Sequence, residues 1–208
     1  MAEIVSSGAP LARARAAAIL VHGRGSNAED ILGLADEFAQ DDIAYLAPQA
    51  PGGSWYPYSF LAPLEQNEPH LSRALATLGA VLEQVAREGF TPERVALIGF
   101  SQGGCLALEY VARNAKRYGA VAGLSAGLIG PPGTPRNYAG SLASTPVFLG
   151  CSDIDSHIPL ARVHESRDVL TRMGAAVTER IYPGMGHSVN SEEIEHVSRL
   201  LAGIGAIP

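Results

Sequence analysis

The chain has 208 residues, enough for a substantial core, and residues 1–208 are read as one domain. Hydrophobic residues make up 47% of it, which makes the chain globular rather than disordered. A net charge of −6, with 15 lysines and arginines and no basic cluster, argues against a nucleic-acid binder.

The first fifteen residues carry little pattern, although Ile4-Val5 suits a short edge strand. No basic region followed by a signal-length apolar run opens the chain. No stretch approaches about 18 unbroken apolar residues, so neither an export signal nor stable membrane insertion is expected, and the reading is a cytoplasmic protein. The two cysteines, Cys105 and Cys151, have no metal-ligand spacing and suggest no disulfide. Cys105 reads as buried packing.

Residues 16–21 are the first buried strand. It ends at His22-Gly23-Arg24-Gly25-Ser26-Asn27, and a helix follows over 28–40, with Ser26 and Glu29 or Asn27 and Asp30 as its capping pair. Gly23-x-Gly25-x-x-Ala28 also fits a dinucleotide fingerprint. That motif needs an acid at the far end of the next strand, and Asp41 and Asp42 stand at the near end of the strand over 43–46. The dinucleotide reading therefore fails, and no cofactor or metal is expected.

Residues 48–63 read as a loop, unusually rich in aromatics: Trp55, Tyr56, Tyr58 and Phe60. Aromatics leaving a strand's carboxyl end can wall an apolar pocket or cover the core edge, and both readings stand. Leu71, Ala74, Leu75, Leu78, Val81, Leu82 and Val85 recur at helical spacing and define a helix over 69–88, stopped by Gly89.

Residues 95–98 then form an uninterrupted apolar run, as a strand buried on both faces requires. It stops at Gly99-Phe100-Ser101-Gln102-Gly103-Gly104, and a mostly buried helix follows. This is the strand–turn–helix setting of a nucleophile elbow, with Ser101 at the turn. The small neighbours let the turn close. The helix start behind it aims free N–H groups at the serine, where they stabilise a developing oxyanion.

A second G-x-S-x-G, Gly123-Leu124-Ser125-Ala126-Gly127, also follows an apolar run. The prolines and glycines of 130–135 allow no helix behind it, so Ser125 reads as a strand-end residue near the pocket. Residues 126–144 are too short for a lid domain. A strand over 145–150 leads to an acid-bearing loop, 151–159, and a helix over 160–173. The last strand, 177–182, leads to Pro183-Gly184-Met185-Gly186-His187-Ser188 and a helix capped by Asn190 and Glu193. Strands alternating with helices mean a mainly parallel sheet covered on both faces.

A serine hydroxyl needs a base, and the base needs an anchor. In the α/β-hydrolase fold the order is serine, acid, histidine. His187, directly after Gly184-Met185-Gly186 in the loop that follows the last strand, is the base; His157 lies after the acid loop rather than the final strand. His70, His164 and His196 read as solvated helix residues, and His22 as structural. Spacing leaves Asp153 and Asp155 equal as the acid. The fold's oxyanion hole takes N–H groups from Arg24 and Gln102. Trp55, Tyr56, Phe60 and Leu128 are the candidate pocket residues.

His22-Gly23-x-Gly25, the Gly99–Gly104 elbow, Asp155-x-x-Ile158-Pro159 and Gly186-His187-Ser188 together resemble the phospholipase/carboxylesterase family, which includes acyl-protein thioesterase-like enzymes. The resemblance covers nearly the whole chain. The family's acid lies in a D-P-x-V-P run, which favours Asp155. It implies an α/β-hydrolase fold without a lid and a serine esterase with Ser101, His187 and Asp155 as triad. The implied substrate is a small acyl ester or thioester, and a homodimer is allowed. Two departures bear on substrate preference: Arg24 stands where many relatives carry an apolar residue, and Cys151-Ser152 replaces the usual His-Gly. A dienelactone hydrolase-like activity and a non-catalytic binding protein are the alternatives. The first typically places a cysteine at the elbow, and the second is expected to lack a triad member.

Overall fold

The computed structural model describes residues 3–205. Its framework is one sheet of seven strands: β1 (Ile4–Gly8), β2 (Ala16–Val21), β3 (Ile43–Pro48), β4 (Val95–Phe100), β5 (Ala120–Leu124), β6 (Pro146–Ser152) and β7 (Ala176–Tyr182). They lie in the order β1-β3-β2-β4-β5-β6-β7. β1 pairs antiparallel with β3, and every other pair is parallel. The helices are α1 (Ala28–Phe38), α2 (Leu64–Asn67), α3 (His70–Arg87), α4 (Gln102–Arg113), α5 (Leu160–Arg172) and α6 (Ser191–Ala202).

Alternation along the strands divides the core in two. Ala17, Ile19, Val21, Leu97, Val121 and Leu149 face one side, where they meet α3, α4 and α5 residues such as Leu78, Leu108 and Val163. Ala16, Ala18, Leu20, Ala96, Ile98 and Phe148 face the other side and meet Phe38 of α1 and Val197 and Leu201 of α6. Every residue of β2 and β3 is buried, which explains their unbroken apolar runs. β7 forms an edge and alternates instead. Glu179 and Arg180 on it carry charge that blunts the edge against further pairing.

The elements expected from periodicity are present, with shifted ends. α4 begins at Gln102, so Gly103 and Gly104 lie in its first turn. Close packing demands this: a Cβ on Gly103 would lie 2.1 Å from the Val21 carbonyl oxygen. β6 continues to Ser152, which pairs with Tyr182, so Cys151 and Ser152 belong to the strand rather than to the acid loop. The one-turn α2 interrupts a stretch whose residues carry no helical periodicity. Of the two capping options at α1, Asn27 is used: its side chain accepts the Asp30 N–H at 2.8 Å. At α6 the Asn190–Glu193 capping box forms in full.

Residues 126–144 contain no helix or strand. Buried charge holds the start of that segment in place. Arg162 Nη1 donates to Leu128 O (2.7 Å) and Gly130 O (2.5 Å), and Arg136 Nη1 donates to Ile129 O (2.6 Å). Glu109 accepts the Ile129 N–H at 3.1 Å and a hydrogen bond from the Tyr138 hydroxyl. Charges buried this deeply persist only when paired and hydrogen-bonded, as these are.

β2 sends the chain to β3 on one side and shares its other side with β4, so the strand order reverses between β2 and β4. In parallel sheets a ligand crevice opens at the carboxyl ends of the strands at such a reversal. The loops after β2 and β4 carry Arg24 and Ser101.

Candidate active site

Ser101 sits between β4 and α4 with φ of 54° and ψ of −122°. This conformation is strained for any residue with a side chain. It is held by the Ser101 N–H on Leu124 O (2.9 Å) and the Cys105 N–H on Ser101 O (2.9 Å). The strain turns the hydroxyl out of the sheet and toward the loop after β7.

That loop bends at Gly184 (φ 70°) and Gly186 (φ 80°). Its backbone is tied to the end of β6: Gly184 N–H donates to Asp153 Oδ1 (2.8 Å) and Gly186 N–H to Ser152 Oγ (3.1 Å). The bend brings His187 Nε2 to 2.9 Å from Ser101 Oγ, and Nδ1 to 2.7 Å from Asp155 Oδ2. The aspartate is an acceptor only, so Nδ1 carries the proton and Nε2 is free to accept from the serine. Phe100 and His157 flank the imidazole at ring-centroid distances of 5.0 and 4.6 Å.

The Asp155 side chain is fully buried. Burial works against its charge, but hydrogen bonds from His187 and from the N–H groups of His157 (2.8 Å) and Ile158 (3.0 Å) outweigh it. They hold the carboxyl below the ordinary carboxylate range, so Asp155 is an anion at neutral pH. Asp153, its equal by spacing, caps the glycine loop instead.

Gln102 is the first residue of α4, so its N–H has no partner inside the helix. Among the described residues neither this N–H nor that of Arg24 donates to a protein acceptor. The two side chains have another task. Gln102 Oε1 accepts the Trp55 N–H (2.9 Å), and its Nε2 donates to Tyr56 O (2.8 Å). Arg24 Nη1 donates to Ser54 Oγ (3.1 Å) and Pro57 O (2.9 Å), and Nη2 to Tyr58 O (2.6 Å). Together they strap the aromatic loop against the elbow.

A pocket of about 470 Å³ opens over Ser101 and His187. Tyr56 and Phe60 line it, as do Tyr58, Cys105, His157 and Ile158. Two expected pocket residues do not. Trp55 is buried beneath the loop, where its indole N–H donates to His22 O at 2.9 Å and its ring lies 5.1 Å from that of His22. Leu128 is fully buried, tied down by Ser166 and Arg162. Cys105, read as core packing, is buried yet reaches the pocket, because four residues along a helix return to the face of Ser101. Burial pushes its thiol up to about 12, so it stays protonated. His157, two residues beyond Asp155, forms pocket wall rather than a base.

His22 is structural, as its place in the sequence suggests. It is fully buried, with Nδ1 on Gly23 O (2.8 Å) and Nε2 accepting the Ala50 N–H (3.1 Å), and burial lowers its pKa. His196 differs from its reading as a solvated residue: it stacks on Phe148 at 4.7 Å. Ser125 is fully buried, and its Oγ donates to Ser188 O at 3.3 Å.

Residues 2–204 match the family model described as Phospholipase/Carboxylesterase. The chain belongs to the phospholipase/carboxylesterase family. Its fold closely matches that of a phospholipase/carboxylesterase from Dyadobacter fermentans, with a TM-score of 0.93, 42% identity and 97% of each chain covered. Acyl-protein thioesterase 1 of Gibberella zeae is 32% identical over 58% of this chain, a match that spans 52% of that protein's own length. Carboxylesterase SOBER1 of Arabidopsis thaliana is 23% identical over 88% of each chain. The fold is thus the family's α/β-hydrolase fold, a mainly parallel sheet with helices on both faces and, among the described residues, no lid. Among the described residues no helix is long and apolar enough to cross a membrane.

Proposed function

We propose that this chain is a serine hydrolase that cleaves carboxylic esters, thioesters included, through an acyl-enzyme. The observation that carries the reading is the unbroken relay from Asp155 Oδ2 through the His187 ring to Ser101 Oγ, at 2.7 and 2.9 Å, at the floor of a pocket. The names of its relatives, carboxylesterase and acyl-protein thioesterase, agree with it.

Ser101 Oγ bonds to the acyl carbon as its proton passes to His187 Nε2. The former carbonyl oxygen takes the negative charge and is met by the N–H groups of Arg24 and Gln102, which are already oriented and unpartnered. His187 then gives its proton to the departing alkoxide or thiolate as the acyl bond to it breaks. Water repeats the sequence: its proton goes to Nε2, its oxygen bonds to the acyl carbon, and Ser101 leaves with the proton returned. Asp155 stays ionised, fixes the tautomer and offsets the imidazolium charge. Cys105, held neutral, is a poor nucleophile, which counts against thiol chemistry of the dienelactone type.

The test is initial rates on 4-nitrophenyl acetate, butyrate and octanoate, with Ser101→Ala beside the native chain. Turnover by the native chain and a loss on the order of a millionfold in the variant are expected. Equal activity of the two proteins, or inertness of both, overturns the reading.

A further inference from the structure

We propose that Arg24 binds an anionic group on the substrate, so that the pocket selects esters bearing a free carboxylate. This rests on the hydrolase reading and names the substrate class of the same site.

A guanidinium has five N–H groups. Nη1 directs two hydrogen bonds, to Ser54 Oγ and Pro57 O, and Nη2 directs one, to Tyr58 O. The Nε–H and one Nη2–H, on neighbouring nitrogens, remain for a ligand. All three acceptors are neutral, and among the described residues no carboxylate pairs with Arg24. The guanidinium carbon lies 5.9 Å from the centre of the Tyr56 ring, but no counter-ion neutralises its charge, and the head group is held in place by the loop it straps. A fixed guanidinium fork with two free donors suits a carboxylate, which accepts in the same plane.

The surroundings point the same way. Arg24 lines the pocket together with His157 and His187, and no aspartate or glutamate is among the lining residues. Asp155, behind His187, has no exposed side-chain surface and is committed to that imidazole. The chain as a whole carries a net charge of −6, so long-range attraction does not draw anions to it. A preference for an anionic ester must come from this pocket. The Arg24 main chain also offers its N–H to the oxyanion, so its guanidinium stands one arginine side chain from the reacting carbon. That span places the carboxylate on the substrate's own chain, several bonds from the scissile ester.

The experiment compares two esters that differ only in this charge: mono-4-nitrophenyl adipate, with its free carboxylate, and the same molecule capped as the methyl ester. The native chain is expected to favour the free acid in kcat/KM by about threefold to tenfold, as a partly exposed charge-assisted pair allows. That preference shrinks in 0.5 M sodium chloride. The ratio falls to one or below in Arg24→Gln and stays above one in Arg24→Lys, whatever each variant does to the absolute rates. A native ratio at or below one overturns the proposal, as does a preference that survives Arg24→Gln. If the capped ester is turned over through Ser101 while the ratio is one, the inference alone fails. If neither ester is turned over, the hydrolase reading fails and takes the inference with it.

Discussion

Two serines of this chain occupy the same sequence motif at the carboxyl ends of adjacent strands, and only one faces a base. Ser101 and Ser125 both stand in G-x-S-x-G, after β4 and β5, with φ of 54° and 45°. Backbone strain is common to both and does not distinguish them. The segment behind each serine does. α4 starts directly after Ser101 and leaves the Gln102 N–H free beside it, whereas the chain after Ser125 stays without a helix and is pinned by Arg162 and Arg136. Ser101 lines the pocket and meets His187 Nε2; Ser125 is fully buried and its hydroxyl meets the Ser188 carbonyl. A strained serine becomes a candidate nucleophile when a helix start and an imidazole converge on it.

The sharpest way to break this contrast is to remove the group that orients the imidazole. Asp155→Asn keeps the side chain's shape but lets it donate to Nδ1, which favours the wrong tautomer. Turnover of a 4-nitrophenyl ester is expected to fall by about 10,000-fold while the fold persists. A fall of less than about tenfold would mean that Asp155 does not set the tautomer.

The loop that carries His187 leans on the capping box of α6, and that support is sensitive to pH. Glu193 is fully buried, and burial pushes its carboxyl up to about 7, against the pull of the Asn190 N–H. The folded chain therefore keeps a proton there across the interval from about 4.3 to 7, where an unfolded glutamate has lost it. Stability is expected to fall as pH rises through that interval, by up to about 4 kcal/mol from this group alone. Glu193→Gln retains an acceptor for the Asn190 N–H and should flatten the dependence. Urea midpoints at pH 5 and pH 8 for both proteins check it; parallel declines would contradict it.

The smallest effect belongs to the other half of the comparison. Ser125→Ala removes one hydroxyl from the core and should cost about 1 kcal/mol of stability with kcat unchanged. Denaturation midpoints and turnover together read both parts. A variant that folds normally yet loses turnover would move the chemistry to Ser125.

Much of this is legible in the sequence, because it depends on local patterns. Unbroken apolar runs mark β2 and β4, helical spacing marks α3, and the glycines on both sides of Ser101 and just before His187 mark sharp turns at strand ends. The features that escape a sequence reading depend on contacts between distant segments. Trp55 and Tyr56 are adjacent aromatics, and nothing local says that one indole turns inward to the His22 carbonyl while its neighbour walls the pocket. Leu128 lies outside the pocket because Arg162, on a helix more than thirty residues later, takes its carbonyl. Asp153 and Asp155 are equal in spacing, and their tasks divide only when the loop after β7 brings Gly184 to one and His187 to the other. Cys105 is within reach of sequence reasoning, since its spacing from Ser101 is one helical turn.

Ser101, and not its twin, is the proposed nucleophile. A fluorophosphonate that reacts only with an activated serine tests it directly, with the adduct located by peptide mass spectrometry. A single adduct on Ser101 is expected, retained in Ser125→Ala and absent from Ser101→Ala. An adduct on Ser125, or labelling that persists in Ser101→Ala, would contradict it.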